Sequence, residues 1–314
     1  MFEVSSTRSN HLIDPSLHIW GWEIPVYLFL GGMVAGMMII SGYFLFKGRN
    51  KESNCSCFWV PGVSLILLSV GMFALFLDLE HKLYFWRLYT TFQITSPMSW
   101  GAWILALVYP AITANLLLRL PKKVTDKYAV LKNASEKINA HPWLIKNIGV
   151  VNMILGALVG MYTGVLLSSL GARPLWNTSV LWLLFLVSGL SSAAAFVHMV
   201  AKNKEERELL AKADNGFLTF EILVIAMMLI GLLTSTSAHK AAASLLLTGP
   251  YAAFFWVFVI LLGIIIPLII QLLAVNHKIN HTPLAPIMVI IGGILLRFVI
   301  VNAGQFSNHL NVYF

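Results

Sequence analysis

The sequence predicts an all-α integral membrane protein with eight transmembrane helices, on three observations. The chain of 314 residues is 58% hydrophobic and only 11% charged, whereas a soluble domain averages about 25% charged and about 45–50% apolar residues. Its mean hydropathy is +0.80. Eight stretches reach the ~20 apolar residues needed to cross a hydrocarbon core. Lastly, the basic residues gather in alternate loops.

In chain order the spans fall at 24–46, 59–78, 99–119, 148–170, 180–200, 216–237, 251–275 and 284–301. Span 1 follows "HIWGWE" and carries Gly32 and Gly36, four apart with Ala35 between, a tight face for a neighbouring helix. Span 2 ends at Asp78, and span 3 opens on "SPMSWG". Span 4 has a small-residue ridge at Gly156, Gly160 and Gly164, with Tyr162 about 200° round the helix from it. Span 5 carries "SGLSSA", span 7 has an internal Pro267, and span 8, the weakest, starts near Pro283 and Pro286 and contains Arg297. "FKGRNKESN", "TSPMS", "GARPLWNTS", "KNKEER", "LTGP" and "NHKINHTP" have loop chemistry. The longest loop, 120–147, reads as a short amphipathic helix in "DKYAVLKNASEKINAHPW", suited to lie on the lipids of an anionic leaflet.

An even count puts both termini on one side. Loops after spans 1, 3, 5 and 7 hold fifteen basic residues: Lys47, Arg49, Lys51, Arg119, Lys122, Lys123, Lys127, Lys132, Lys137, Lys146, Lys202, Lys204, Arg207, Lys212 and Lys278. The opposite side holds five, namely Arg8, Lys82, Arg87, Arg173 and Lys240. The positive-inside bias then puts both termini outside the cytoplasm, and the formal charge of +8 needs no nucleic acid to explain it. Residues 1–23 carry Glu3, Arg8, Asp14 and Glu23 without a short apolar core and cleavage site, so no cleaved leader is expected. Cys55 and Cys57 offer two thiols, half a zinc site, and no resident metal is expected.

Polar and aromatic residues of specific geometry concentrate on the outer side: "HIWGWE", "LDLEHKLYFWR" with "SPMSWG", "YTG" with "ARPLW", "SAHK" and "LRFVIVNAGQ". The working site is expected there. A haem reading needs paired histidines inside the spans. His18, His81 and His239 lie at the outer edge and His198 near the inner end of span 5, so no pair faces across the membrane. A secondary transporter would show broken helices in both halves. Pro267 has no counterpart in span 3, although this alternative, like a purely structural anchor, stays open. A quinone site fits better, because it needs a His or Tyr donor, aromatic walls and a carboxylate leading to one surface. The outer cluster offers His18, Tyr162, Trp22, Trp176 and Asp78, with Arg173 beside them and Arg297 in span 8. Asn152, His198, Glu221 and Gln271 fall in the inner thirds of spans 4 to 7, either as interhelical glue or as a proton path from the cytoplasm.

"HIWGWEIPVYLFLGGMVAG", "LDL" ahead of "WR", "SPMSWG", "YTG", "SGLSSA" and "LR…AGQ" together resemble the polysulfide reductase membrane-subunit, or NrfD-like, family over nearly the whole chain. The resemblance implies two four-helix bundles, here residues 1–170 and 171–314, within one membrane domain of a bacterial inner membrane. It implies a menaquinone or ubiquinone pocket near the outer surface, no haem or metal in this subunit, and a docked extracytoplasmic iron–sulfur subunit with a molybdopterin or multihaem catalytic partner. Matched residue by residue, His18 and Tyr162 take the quinone headgroup and Asp78 the proton exchange. One departure stands out. Some members are proposed to carry charged residues in the later spans as a proton path, and spans 5 and 7 here contain no Arg, Lys, Asp or Glu.

Overall fold

The computed structural model describes residues 20–48, 59–119, 129–276 and 282–307; His18, Cys55 and Cys57 lie outside them. Every regular element among the described residues is helical. They are α1 (Glu23–Phe46), α2 (Val60–Asp78), the single turn α3 (Arg87–Thr90), α4 (Pro97–Leu117), α5 (Ala129–Asn139), α6 (Pro142–Ser168), α7 (Leu181–Val200), α8 (Lys204–Thr234), α9 (Ser237–Leu247), α10 (Phe254–Val275) and α11 (Leu284–Phe306), with one 3-10 turn at Lys82–Tyr84 between α2 and α3. Eight of these are long and apolar enough to cross a membrane: α1, α2, α4, α6, α7, α8, α10 and α11. The amphipathic stretch of the longest loop is α5, tied back by the Asn139 side-chain amide donating to the Leu118 carbonyl at 3.4 Å.

Three helix ends extend past the hydropathy reading. α6 begins at Pro142 and α11 runs on to Phe306. The largest difference is in α8, which begins at Lys204, twelve residues before the apolar run. Asn203 caps it by accepting from the Glu205 N–H at 3.1 Å, and Glu205 and Glu206 in the first turn suit the positive end of the helix dipole. In α10 the segment Phe254–Ile265 is wound in wide π turns and regular α geometry starts at Ile266. Pro267 lacks the N–H that would close an α turn on Gly263, so the ladder changes there.

α1 is the central helix. Of its apolar window 78% is buried, against 28% for α4 and 33% for α2 and for α8. It packs on α2 and α6 on one side and on α7 and α11 on the other. Neighbour relations run α1–α2–α4–α6 and back to α1, and α7–α8–α10–α11 and back to α7; α1 and α6 join the two circuits through α7. Glycines permit these approaches. A Cβ on Gly36 would stand 2.7 Å from the Gly189 carbonyl oxygen of α7, and one on Gly42 would stand 2.5 Å from that of Gly149 on α6. The span 4 ridge serves two neighbours: Gly156 meets the Ala35 backbone of α1, while Gly160 and Gly164 meet Leu186 and Trp182 of α7. Without a hydrophobic drive between helices in lipid, such close backbone contact is what holds them.

The start of α1 and the end of α11 share a face. The Trp20 N–H donates to Gln305 Oε1 at 3.0 Å, and Gln305 Nε2 returns a bond to the Trp20 carbonyl at 3.0 Å. We call this the lip face.

Candidate functional site

The lip is clamped from three segments. The indole of Trp176 is fully buried, stacks on Trp20 at 5.2 Å between centroids, and donates from Nε1 to the Ile300 carbonyl at 2.8 Å. It fits because residue 304 is glycine: a Cβ there would lie inside the indole. Arg173, 6% exposed, donates from Nη1 to the carbonyls of Gln305 at 2.5 Å and Ser307 at 3.2 Å. Those carbonyls belong to the end of α11, where a helix leaves its last C=O groups unmatched. Burial lowers the guanidinium pKa from its ordinary value. Arg173 and Trp176 thus bind the last turn of α11 to the loop before α7. Trp22, by contrast, is 56% exposed and takes no part in the indole stack, where Trp20 stands instead.

Tyr162 comes up from α6 and lies over α4. Gly101 of "SPMSWG" makes the room: an added Cβ would fall 1.8 Å from Tyr162 Cζ and 2.2 Å from its hydroxyl oxygen. Tyr162 is 8% exposed and its hydroxyl makes no hydrogen bond to another described residue. The loop before α4 is folded back by Ser99, whose Oγ accepts from the Gln93 N–H at 3.0 Å, and by Trp100 Nε1 donating to the Ile94 carbonyl at 2.7 Å. Between that loop and the end of α2 lies a crevice of about 610 Å³, lined by His81, Arg87, Gln93, Ser96 and Ser99 among others. Arg87 is held over the rings of Tyr84 at 4.7 Å and Trp86 at 5.7 Å. Tyr89 of α3 stays protonated as a donor, its pKa raised by burial and then by Tyr109. Asp78 sits half-buried at the end of α2, with Glu23 of α1 as its electrostatic neighbour. The phenol, the carboxylates and the crevice therefore share the lip end of α1, α2, α4 and α6. The structure does not bring Arg173 into that group.

Arg297 lies deeper than the sequence implies. With α11 ending at Phe306, it stands nine residues, about 14 Å, from the lip end of the helix. It is fully buried, donates to Ser188 Oγ at 2.5 Å and to the Phe185 carbonyl at 2.9 Å, and its guanidinium lies 4.8 Å from the Phe185 ring centroid. Glu221 of α8 lies against the same Ser188 and faces Arg297 and Asp214 electrostatically. Asp214 in turn accepts from Ser191 Oγ at 2.6 Å and Gln271 Nε2 at 2.7 Å. This row joins α11, α7, α8 and α10 through groups that pair one another, as charges inside a membrane protein must. Asp214 escapes the sequence reading because the apolar run of span 6 starts at 216, two residues beyond it; α8 carries it into the interior. Spans 5 and 7 carry no charge of their own, yet Ser191 and Gln271 on them hold a buried carboxylate. Asn152 is interhelical glue, its Nδ2 donating to the Ala111 carbonyl of α4 at 3.0 Å.

Fold and site together define a polytopic all-α membrane protein with a clamped, aromatic polar cluster at one end. The chain belongs to the polysulphide reductase, NrfD family, which it matches over residues 10–308. It is 30% identical over 306 residues to one of the chains of polysulfide reductase from Wolinella succinogenes, covering 91% of this protein and 94% of that relative. It is also 30% identical over 316 residues to the protein NrfD homolog of Haemophilus influenzae, covering 92% and 95%. One of the subunits of selenate reductase from Mesobacillus selenatarsenatis is 22% identical over 326 residues, covering 93% and 75%.

Proposed function

We propose that this chain is the membrane anchor and quinone-reactive subunit of a respiratory oxidoreductase. It exchanges electrons between the menaquinone or ubiquinone pool and an extracytoplasmic iron–sulfur subunit docked on the lip face, beyond which lies a molybdopterin or multihaem catalytic subunit. Two of its relatives bear the names of subunits of polysulfide and selenate reductases, which supports membership of such a complex. The basic asymmetry between loops supports a lip face outside the cytoplasm, with both termini there, in a bacterial inner membrane. The two helix circuits act as two four-helix bundles, residues 1–170 and 171–314.

The observation that carries the reading is Tyr162: a buried phenol with no hydrogen-bond partner among the described residues, in a space left by Gly101 near the lip end of α6. Buried tyrosine hydroxyls ordinarily find a partner, so this one suits a ligand carbonyl. A bound quinone supplies two-electron, two-proton redox chemistry. Tyr162 and His18 hold and orient its headgroup, Trp22 and Trp176 bound the lip, and Asp78 at the rim exchanges protons with the outside. Arg173 fixes the lip's geometry, and Arg297 sets the electrostatics of the buried row behind it.

The test is Tyr162→Phe in the intact complex. One lost hydrogen bond to a neutral acceptor is worth about 0.5–1.5 kcal/mol, so quinone affinity should fall by roughly ten-fold at most. Turnover with quinol should fall further, since positioned proton transfer contributes about 10²–10⁴-fold. Activity with an artificial dye feeding the soluble subunits should stay whole. Wild-type quinol turnover in both Tyr162→Phe and His18→Ala would place the pocket elsewhere.

A further inference from the structure

Residues 79–96 join α2 to α4, so they lie at the membrane boundary itself, and the crevice of about 610 Å³ opens among them. α2 and α4 are among the least buried spans, at 33% and 28%, and their outward faces meet lipid. Around the crevice, Tyr84, Phe85, Trp86, Phe92, Trp100 and Trp103 are each between 41% and 56% exposed. Exposed aromatic rings grouped in this way mark the level where headgroups meet hydrocarbon. Arg87 lines the crevice and Glu80 is its one acid, yet Arg87 makes no ion pair or hydrogen bond with any described residue. Its guanidinium lies over the rings of Tyr84 and Trp86, a contact that uses none of its five N–H donors. The His81 imidazole and the side-chain hydroxyls of Thr91 and Ser96 line the same space, also without a hydrogen bond to another described residue.

We propose that this crevice binds the phosphodiester headgroup of an anionic phospholipid, with Arg87 as the phosphate ligand. A guanidinium matches phosphate oxygens with two parallel N–H bonds, which a carboxylate-paired arginine could not spare. His81, Thr91 and Ser96 add further donors for the remaining phosphate and glycerol oxygens. The volume lies within the roughly 300–1,000 Å³ of small-molecule sites, enough for a headgroup whose acyl chains stay in the bilayer. Those chains have a surface to lie on: Leu83 and Ile94 beside the crevice are 87% and 71% exposed, and Met98 in its wall is 52% exposed. A free phosphate ion would make no use of that apolar rim, and this favours a lipid as the source of the phosphate. The site is separate from Tyr162 and does not depend on the reading given above.

The test is a binding titration of the full chain in a non-ionic detergent, read by native mass spectrometry. The probes are dioleoylphosphatidylglycerol, the zwitterionic dioleoylphosphatidylcholine, and inorganic phosphate as a headgroup without chains. The anionic lipid should bind more tightly than either of the others. Arg87→Gln should weaken it about ten- to hundred-fold, the range of a hydrogen bond to a charged group. Arg87→Lys should lose part of that, since an ammonium keeps the charge without the fork. Lys240→Gln removes an exposed charge from α9, which packs on α8 and α11 away from the crevice, and should bind like wild type. Wild-type binding of the anionic lipid by Arg87→Gln would overturn the proposal and leave the crevice to a docked protein. Equal binding of the two lipids would also overturn it, as would an equal loss in Lys240→Gln, which would mark diffuse charge. Phosphate bound as tightly as the anionic lipid would overturn the lipid as its source. An equal loss of both lipids in Arg87→Gln with a lowered melting temperature would mark Arg87 as structural and overturn the proposal too.

Discussion

Gly101→Ala tests the site through packing alone, without touching a polar group. The new Cβ would lie 1.8 Å from Tyr162 Cζ and 2.3 Å from Cε2. Carbon atoms settle at about 3.5–4.0 Å, so the ring must retreat by about 2 Å. The phenol is rigid and α6 is pinned at Gly156 and Gly164 by backbone contacts, leaving the tyrosine side chain to swing rather than the helix to slide. Overpacking of this kind costs about 1–3 kcal/mol of stability. A displacement of about 1 Å at a reacting centre can cost about 10²-fold in rate. Gly101→Ala should therefore assemble, melt lower than wild type, and lose about two orders of magnitude of quinol-linked turnover. Gly231→Ala on α8 is the control, since nothing lies within 4 Å of its added Cβ. The assay is quinol oxidation by the intact complex, normalised to dye-linked activity of the same preparation. Wild-type quinol turnover in Gly101→Ala would show that the Tyr162 position does not matter to the chemistry and would refute the reasoning.

Three further outcomes are expected. A C-terminal alkaline phosphatase fusion should be active, given the fifteen-to-five basic asymmetry; an active cytoplasmic reporter at that place would reverse the orientation and move the lip to the wrong side. Glu221→Gln removes the carboxylate that faces Arg297 across Ser188. Arg297 keeps its bonds to Ser188 and Phe185, and one lost hydrogen bond is worth about 0.5–1.5 kcal/mol, so the melting temperature should drop by a few degrees, and a companion Glu221→Gln/Arg297→Met double variant should depart from the sum of the two single variants; strict additivity would show that the two do not act as a pair. Arg173→Lys keeps the charge but cannot reach the carbonyls of both Gln305 and Ser307, so α11 should fray at its lip end. Hydrogen exchange at residues 303–307 should speed up, with little change in the amides of α8.

The sequence by itself determined the class, the number of spans and the family, because each depends on quantities that add along the chain. Apolar length decides whether a segment crosses a bilayer, basic residues accumulate in loops, and motifs such as "SPMSWG" survive as strings. It also showed that Tyr162 turns away from the glycine ridge, since helical periodicity alone places it there. The tertiary structure decided what each polar residue faces. Hydropathy ends a span at the first charge because an unpaired charge in lipid is costly, yet that cost falls when another helix supplies partners. Asp214 is therefore inside the protein, with Ser191 and Gln271 brought to it from two other helices. Gly101 and Gly304 look in the sequence like ordinary small residues; only the packed structure shows that each is the space a tyrosine or a tryptophan occupies. Arg173 makes the same point. In the sequence it stands beside the expected quinone site, and in the structure it is committed to the backbone carbonyls of Gln305 and Ser307. Partnership is a property of helices far apart in the chain, and it is settled only when they pack.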